Sequence, residues 1–169
     1  MDLPLFRLGK LFGGPPYLVD EVDPDVVISL AAHVVAKSRS TRQVYHFPIR
    51  DFHVEPIYNI GYALEKISYH ISRGDSVYVH CLGGCGRTGT VISAYLILFH
   101  GYSYQEAIHE FVSQRGCSIE SYEQELFLEV LDRLIKTWFN VDKIVGVMKR
   151  SITLDNFMNY IEKIVELNE

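Results

Sequence analysis

Residues 80–90 read HCLGGCGRTGT. Before them, in Ser76–His80, Val77 and Val79 alternate with Tyr78 and His80, the pattern of a strand. After them, residues 88–100 are apolar nearly all round and end at Gly101, the pattern of a helix buried on several sides. A strand, a glycine-rich turn and a helix N-terminus therefore meet within one short stretch. Such a turn aims successive backbone N–H groups at one point, and the positive end of the helix dipole faces the same point. The expected product is a cradle for an anion of phosphate size, formed by Leu82, Gly83, Gly84, Cys85 and Gly86 with Arg87. The three glycines there would supply positive φ angles and close backbone approach.

The side chains at the rim suggest what such a cradle does. Inward amides, a helix N-terminus and a nearby guanidinium favour the thiolate of a cysteine, which is the nucleophilic form, and Cys81 stands at that place. Arg87 can offer two parallel N–H bonds to phosphate oxygens, a geometry lysine does not match. Thr88 is placed to donate its hydroxyl to the sulfur, making it a better leaving group. His80 is read as a fixer of the loop through backbone hydrogen bonds, since a thiolate needs no base. Zinc would want four ligands, and His80, Cys81 and Cys85 lack the usual paired spacing. A nucleotide-binding loop would need a lysine that is absent here.

Outward from this stretch, Val26–Leu30 and Val44–Ile49 read as further strands. Ile60, Ala63, Leu64, Ile67 and Ile71 recur at helical spacing between strands. Helices are also expected over Ser103–Gln114 and Ser121–Phe139, the second with a stripe of Phe127, Val130, Leu131, Leu134 and Trp138 read as core packing. Alternating strands and helices predict an α/β fold, a central mixed and largely parallel sheet with helices on both faces. Residues 1–139 are expected to form the catalytic domain and 140–169 a helical extension. In the extension Leu154, Phe157, Met158, Ile161, Ile164 and Val165 make one apolar face. Docking on the domain is the favoured use of that face, with a second copy or a partner as alternatives.

The 169 residues, 48% hydrophobic and 22% charged, suit one soluble globular domain. A net charge of -5 offers no general attraction to nucleic acid or to anionic lipid, so neither is expected as a partner. No apolar run is long enough to cross a bilayer, and a cytoplasmic location is expected. Three cysteines, an odd number without a regular framework, fit reduced thiols better than structural disulfides.

His80-Cys81, the C-x5-R spacing to Arg87 and the following Thr88-Gly89 resemble the signature of the cysteine-dependent protein tyrosine and dual-specificity phosphatases. The block from HCLGGCGRTGT through SAYLILFHG to SYEQELFL is similar to the small archaeal protein tyrosine phosphatases. The likeness is strongest over residues 76–139 and does not reach residue 140 onward. It implies a three-layer, dual-specificity phosphatase-like fold, no cofactor and no metal, and phosphoprotein substrates. A monomer or weak dimer is expected.

Displacing an alkoxide or phenoxide from phosphorus needs a proton on the leaving oxygen, and "HFPIRDFHVEP" offers a carboxyl group just after a strand. Asp51 matches the place of the family's acid, with Glu55 as its rival. Gln124, in SYEQ, matches the family glutamine that orients the attacking water, against the alternative of an exposed helix amide. Arg115 matches the arginine of a family turn in which Gly116 replaces proline. "LFGGPPY" near the N-terminus is turn-rich and a candidate wall of the cleft. Cys85 reads as simple packing, with a protective disulfide to Cys81 as the alternative.

The favoured function is hydrolysis of phosphotyrosine in proteins, extending to phosphoserine and phosphothreonine if the pocket is shallow. The alternatives are a phosphoinositide or RNA 5'-phosphate phosphatase, which the lack of a side-chain cation between Cys81 and Arg87 disfavours, and a non-catalytic phosphoprotein-binding domain.

Overall fold

The strand that delivers Cys81 lies at the centre of a five-stranded sheet. The computed structural model describes residues 4–137 and 139–167; Trp138 lies outside the described residues. The strands are β1 (Phe6–Leu8), β2 (Leu11–Gly14), β3 (Val26–Ser29), β4 (Gln43–His46) and β5 (Val77–His80), in the order β1-β2-β5-β3-β4. β5 runs parallel to both β2 and β3, β3 parallel to β4, and only β1 is antiparallel to β2. The expected mixed, largely parallel sheet is therefore present. β2 falls where the sequence reads as turn, because Gly13 and Gly14 hide any alternation of apolar residues, and β1 is a strand the sequence did not reveal. Gly13 has a packing reason: a Cβ there would lie 2.2 Å from Ile92 Cδ1, so the bare backbone lets the next helix approach.

That helix is α3 (Gly86–His100), buried from Gly86 through Leu98. Val91, Ile92, Leu96 and Ile97 are wholly inaccessible, and burying each such side chain contributes about 1.5–3 kcal/mol. α3 thus anchors the turn at its N-terminus to the main core. Around it pack α2 (Ile57–Ser72), α4 (Tyr104–Arg115) and α5 (Tyr122–Thr137). On this face the sheet presents Val26, Ile28, Val77 and Val79. The alternate residues Val27 and Tyr78 face a smaller cluster with Leu18 and Val19. That second face is covered by a short 3-10 turn (Pro16–Leu18), the single-turn α1 (Val19–Val22) and neighbouring coil, so helices lie on both faces but very unequally.

Residues beyond 140 share the main core. α6 (Val141–Met148), a helix the sequence did not reveal, packs on α2 with Ile144, Val147 and Met148 buried. Lys149 Nζ pairs with Glu65 of α2 at 2.6 Å. The carbonyls of Ile152 and Ser151 accept the N–H groups of Ile57 and Tyr58, both at 2.9 Å. Those donors open α2, where Pro56 supplies no side-chain cap, so the extension satisfies groups the helix itself leaves unpaired. α7 (Leu154–Leu167) buries Leu154, Phe157 and Ile161, with the Phe157 ring 6.0 Å from that of Phe127 on α5. Among the described residues no helix is long and apolar enough to cross a membrane.

Candidate active site

Between β5 and α3 the chain makes the turn that the sequence singled out. Cys81 is 2% exposed, and its sulfur accepts the Gly84 N–H at 3.3 Å. Of the three glycines, only Gly84 has a positive φ, +75°. A Cβ on Gly84 would lie 2.3 Å from the backbone of Gly14 and Pro15, so the "LFGGPPY" segment forms a wall directly against the loop. Gly83, by contrast, has open space around it. Leu82 is largely exposed, its side chain outside the cradle.

His80 is fully buried. Its Nε2 accepts the N–H of Ala36 at 3.1 Å, which leaves Nδ1 to donate to the Cys81 carbonyl at 2.9 Å. Both bonds fit the neutral ring, and burial pushes its pKa below the ordinary value. The side chain braces the loop as expected. With both its nitrogens engaged, it is no metal ligand alongside Cys81.

Arg87 is buried, and its Nη1 donates to the carbonyls of Ile49 at 3.1 Å and Leu30 at 3.5 Å. These carbonyls follow β4 and β3, so two strand ends orient one guanidinium. Arg87 Nε lies 3.5 Å from Asp51 Oδ1 and makes no hydrogen bond among the described residues. The Thr88 hydroxyl is likewise buried without a partner, so the expected bond from Thr88 to the Cys81 sulfur is not made in this structure.

Asp51 sits in a tight turn closed by Arg50 N–H donating to Glu55 O at 2.8 Å and His53 N–H donating to Arg50 O at 3.1 Å. Its side chain is half-exposed and accepts the Phe52 N–H at 3.1 Å. Glu55, the rival acid, lines a different cavity with Tyr122, Leu126 and Asp155. Only Asp51 of the two reaches Arg87.

A second segment, Arg115–Gln124, closes the site from the other side. Arg115 donates from Nη2 to Gly83 O at 2.8 Å and from Nε to Gly84 O at 3.2 Å. Its support of the loop survives the replacement of proline by Gly116. Cys117 forms a disulfide with Cys85. This corrects two expectations. The cysteines are not all reduced thiols, and Cys85 pairs with Cys117 rather than packing alone or bonding to Cys81, which is free. Cysteine spacing could not reveal the pair because the α4–α5 loop returns to the phosphate-type turn only in three dimensions.

Glu120 accepts the Gly86 N–H at 3.0 Å, and its own N–H donates to Gln124 Oε1 at 2.7 Å. Gln124 is fully buried, not an exposed helix amide, and its Nε2 has no partner among the described residues. Glu123 accepts the Val54 N–H at 2.9 Å and contacts His53 Nδ1 at 3.2 Å. The contacts of Glu120 and Glu123 have no sequence signal beyond the acidic run around SYEQ. The structure thus pairs Asp51 with Arg87 at the start of α3, places Cys81 at the head of the loop that leads into that helix, and puts Thr88 and Gln124 on the elements beside them.

The family model described as "Dual specificity phosphatase, catalytic domain" matches residues 15–129. An uncharacterised protein of Methanocaldococcus jannaschii is 34% identical over 83 residues, covering 49% of this chain and 55% of that protein. A protein of Arabidopsis thaliana named phosphatidylinositol 3,4,5-trisphosphate 3-phosphatase and protein-tyrosine-phosphatase PTEN1 is 36% identical over 86 residues, 47% of this chain and 21% of its own. The chain spans about half the length of the first curated relatives it matches. Among solved structures, Tk-PTP in the active form has 29% identity and a TM-score of 0.67, covering 79% of this chain and 99% of that one. A mutant form of Tk-PTP has 31% identity and the same TM-score, covering 78% and 95%. PTPMT1 in complex with PI(5)P shares the fold at 21% identity and a TM-score of 0.60, covering 75% of this chain and 92% of that one. With that family model matching residues 15–129, more than half of its length, this chain belongs to the dual specificity phosphatase family and carries its catalytic domain.

Proposed function

We propose that the protein hydrolyses phosphate monoesters of proteins, phosphotyrosine foremost, through a phosphocysteine and without a metal. The observation that carries this reading is the pairing of the Asp51 carboxyl with the Arg87 guanidinium at 3.5 Å, at the end of a loop whose amide meets the buried Cys81 sulfur. In the first step the Cys81 sulfur forms a bond to phosphorus as the ester P–O bond breaks, and Asp51 gives its proton to the departing oxygen. Arg87 and the loop amides meet the charge on the equatorial oxygens. In the second step water attacks phosphorus, the S–P bond breaks, and the Asp51 carboxylate takes the water's proton. Thr88 stabilises the departing sulfur and Gln124 orients the water; both carry buried polar atoms that no protein group satisfies among the described residues. A phosphate dianion that fills the cradle must take the Gly86 N–H from Glu120.

Exposed Phe52 and Leu82 adjoin Asp51 and Cys81 in the chain, which suits an aromatic phosphoester better than a polyanionic headgroup. No lysine or arginine side chain lies between Cys81 and Arg87. Phosphoinositides and RNA 5'-phosphates are therefore the second reading, and a phosphoprotein-binding module the third. Phosphoproteins are the proposed partners, a monomer or weak dimer the proposed state, and the cytoplasm the proposed location.

The test is turnover of p-nitrophenyl phosphate, phosphotyrosine, phosphoserine and phosphoinositide substrates in the presence of a chelator. Turnover with the chelator, lost in Cys81→Ser and favouring phosphotyrosine, supports the proposal. Activity only with added metal ends the thiolate mechanism, and preference for the lipid ends the protein assignment. Asp51→Asn is expected to slow the first step about a hundredfold with binding retained.

A further inference from the structure

We infer that Glu123 is a positioning residue for the reaction, holding the turn that carries Asp51 so that its carboxyl stays against Arg87. This rests on the proposed role of Asp51 as proton donor.

The turn needs such a hold. Arg50, Asp51 and Phe52 are all exposed, so little burial fixes them. Phe52 has a φ of +66°, a left-handed conformation disfavoured for a non-glycine residue. Among the described residues Asp51 itself is bonded only to the Phe52 N–H and paired with Arg87 at 3.5 Å. The bonds from Arg50 N–H to Glu55 O and from His53 N–H to Arg50 O close the turn on itself without fixing it to the rest of the protein.

Ile49 ties the N-terminal side of the turn to Leu30 and Arg87, and the attachment of its other side comes from α5. Glu123 Oε2 accepts the Val54 N–H at 2.9 Å and contacts His53 Nδ1 at 3.2 Å, reaching across about 70 residues of sequence. Glu123 lies in the first turn of α5, where the helix dipole favours a carboxylate. The neighbouring Gln124 Oε1 accepts the Glu120 N–H, and the Glu120 carboxylate accepts the Gly86 N–H. One helical turn therefore holds the acid turn on one side and the phosphate loop on the other. Glu123 fixes the C-terminal side of the turn that carries the proton donor. Proton transfer demands hydrogen-bond reach, and a displacement of about 1 Å costs on the order of a hundredfold.

The test compares the wild type, Glu123→Ala, Glu123→Gln, Asp51→Asn and the double variant Asp51→Asn/Glu123→Ala. The substrates are phenyl phosphate, whose leaving group needs a proton, and p-nitrophenyl phosphate, whose leaving group needs it less. Glu123→Ala is expected to lower kcat on phenyl phosphate by about tenfold or more and on p-nitrophenyl phosphate by less than about threefold, with KM nearly unchanged. Glu123→Gln, which keeps an acceptor oxygen for Val54 N–H, should recover most of the loss. In the Asp51→Asn background, Glu123→Ala should change kcat by less than about twofold, because the two act through one group. Equal losses on both substrates, or losses that multiply in the double variant, overturn the inference. An Asp51→Asn protein as fast as the wild type ends the acid assignment and the inference with it. A slow Asp51→Asn protein beside an unimpaired Glu123→Ala protein ends the inference alone.

Discussion

Cys85, the residue that precedes the first turn of α3, is bonded to Cys117, 32 positions further along the sequence. The bond joins the phosphate loop to the same segment that supplies Arg115 and Glu120. Closing a loop of 32 residues restricts the unfolded chain, which in the chain-entropy account stabilises the fold by about 3–4 kcal/mol at most. Cys117→Ser is expected to lower the urea midpoint, and dithiothreitol should shift the wild type to the same value while leaving the variant unmoved. A variant as stable as the oxidised wild type would show that the bond contributes nothing.

Two adjacent glycines should respond very differently to alanine. At Gly84 the positive φ and a Cβ only 2.3 Å from the Gly14 and Pro15 backbone force the loop to move. Gly83 has neither constraint. Gly84→Ala is expected to lower kcat/KM by about tenfold or more with the fold intact, since misplaced loop groups lose transition-state contacts. Gly83→Ala should stay within about 0.5 kcal/mol of wild-type stability. Circular dichroism with urea titration and steady-state kinetics decide it; the reverse ranking would refute the contact analysis.

Glu120 competes with any anion for the Gly86 N–H, which it holds at 3.0 Å. Two like unit charges about 4 Å apart in water repel by about 1 kcal/mol, or about fivefold in affinity. Glu120→Gln is therefore expected to bind inorganic phosphate several-fold more tightly, read by isothermal titration on Cys81→Ser protein. Unchanged or weaker binding would mean that the carboxylate moves aside at no cost.

Stability should decline on the acid side in two stages. Burial holds the His80 ring below its ordinary pKa of 6.5, so the unfolded chain takes up a proton that the folded protein refuses. That contribution is complete above about pH 6.5 and is lost as the pH falls toward the folded value, by at most about 1.4 kcal/mol per pH unit. At the opposite end of the sheet, the hydrogen bond from His70, and after it Arg42, hold Asp75 below the usual carboxylate range. Its contribution is present above its ordinary value of 3.8 and disappears as the pH falls through the depressed one. Urea midpoints between pH 8 and pH 3 should be level at first, then fall below about 6.5 and again below about 4. A midpoint that rises between pH 7 and pH 5 would contradict the His80 assignment.

By itself the sequence determined the strand, the glycine turn and the buried helix, and with them the relation of Cys81 to Arg87. Those features depend on neighbours within a few residues, through alternation, helix-terminus geometry and the apolar run of α3, so they are written in contiguous order. Asp51 was picked out by its match to the place of the acid in the family that the sequence resembles, with Glu55 as its rival, and the structure pairs Asp51 with Arg87. Only the tertiary structure decided the rest. β2 lies beside β5, Gly13 admits Ile92 of α3, α6 packs on α2, Cys85 finds Cys117, and α5 returns Glu123 to the turn of Asp51. Each of these is a contact between residues far apart in the chain, made by a single side chain or a bare backbone, and such contacts leave no period in the sequence from which to read them.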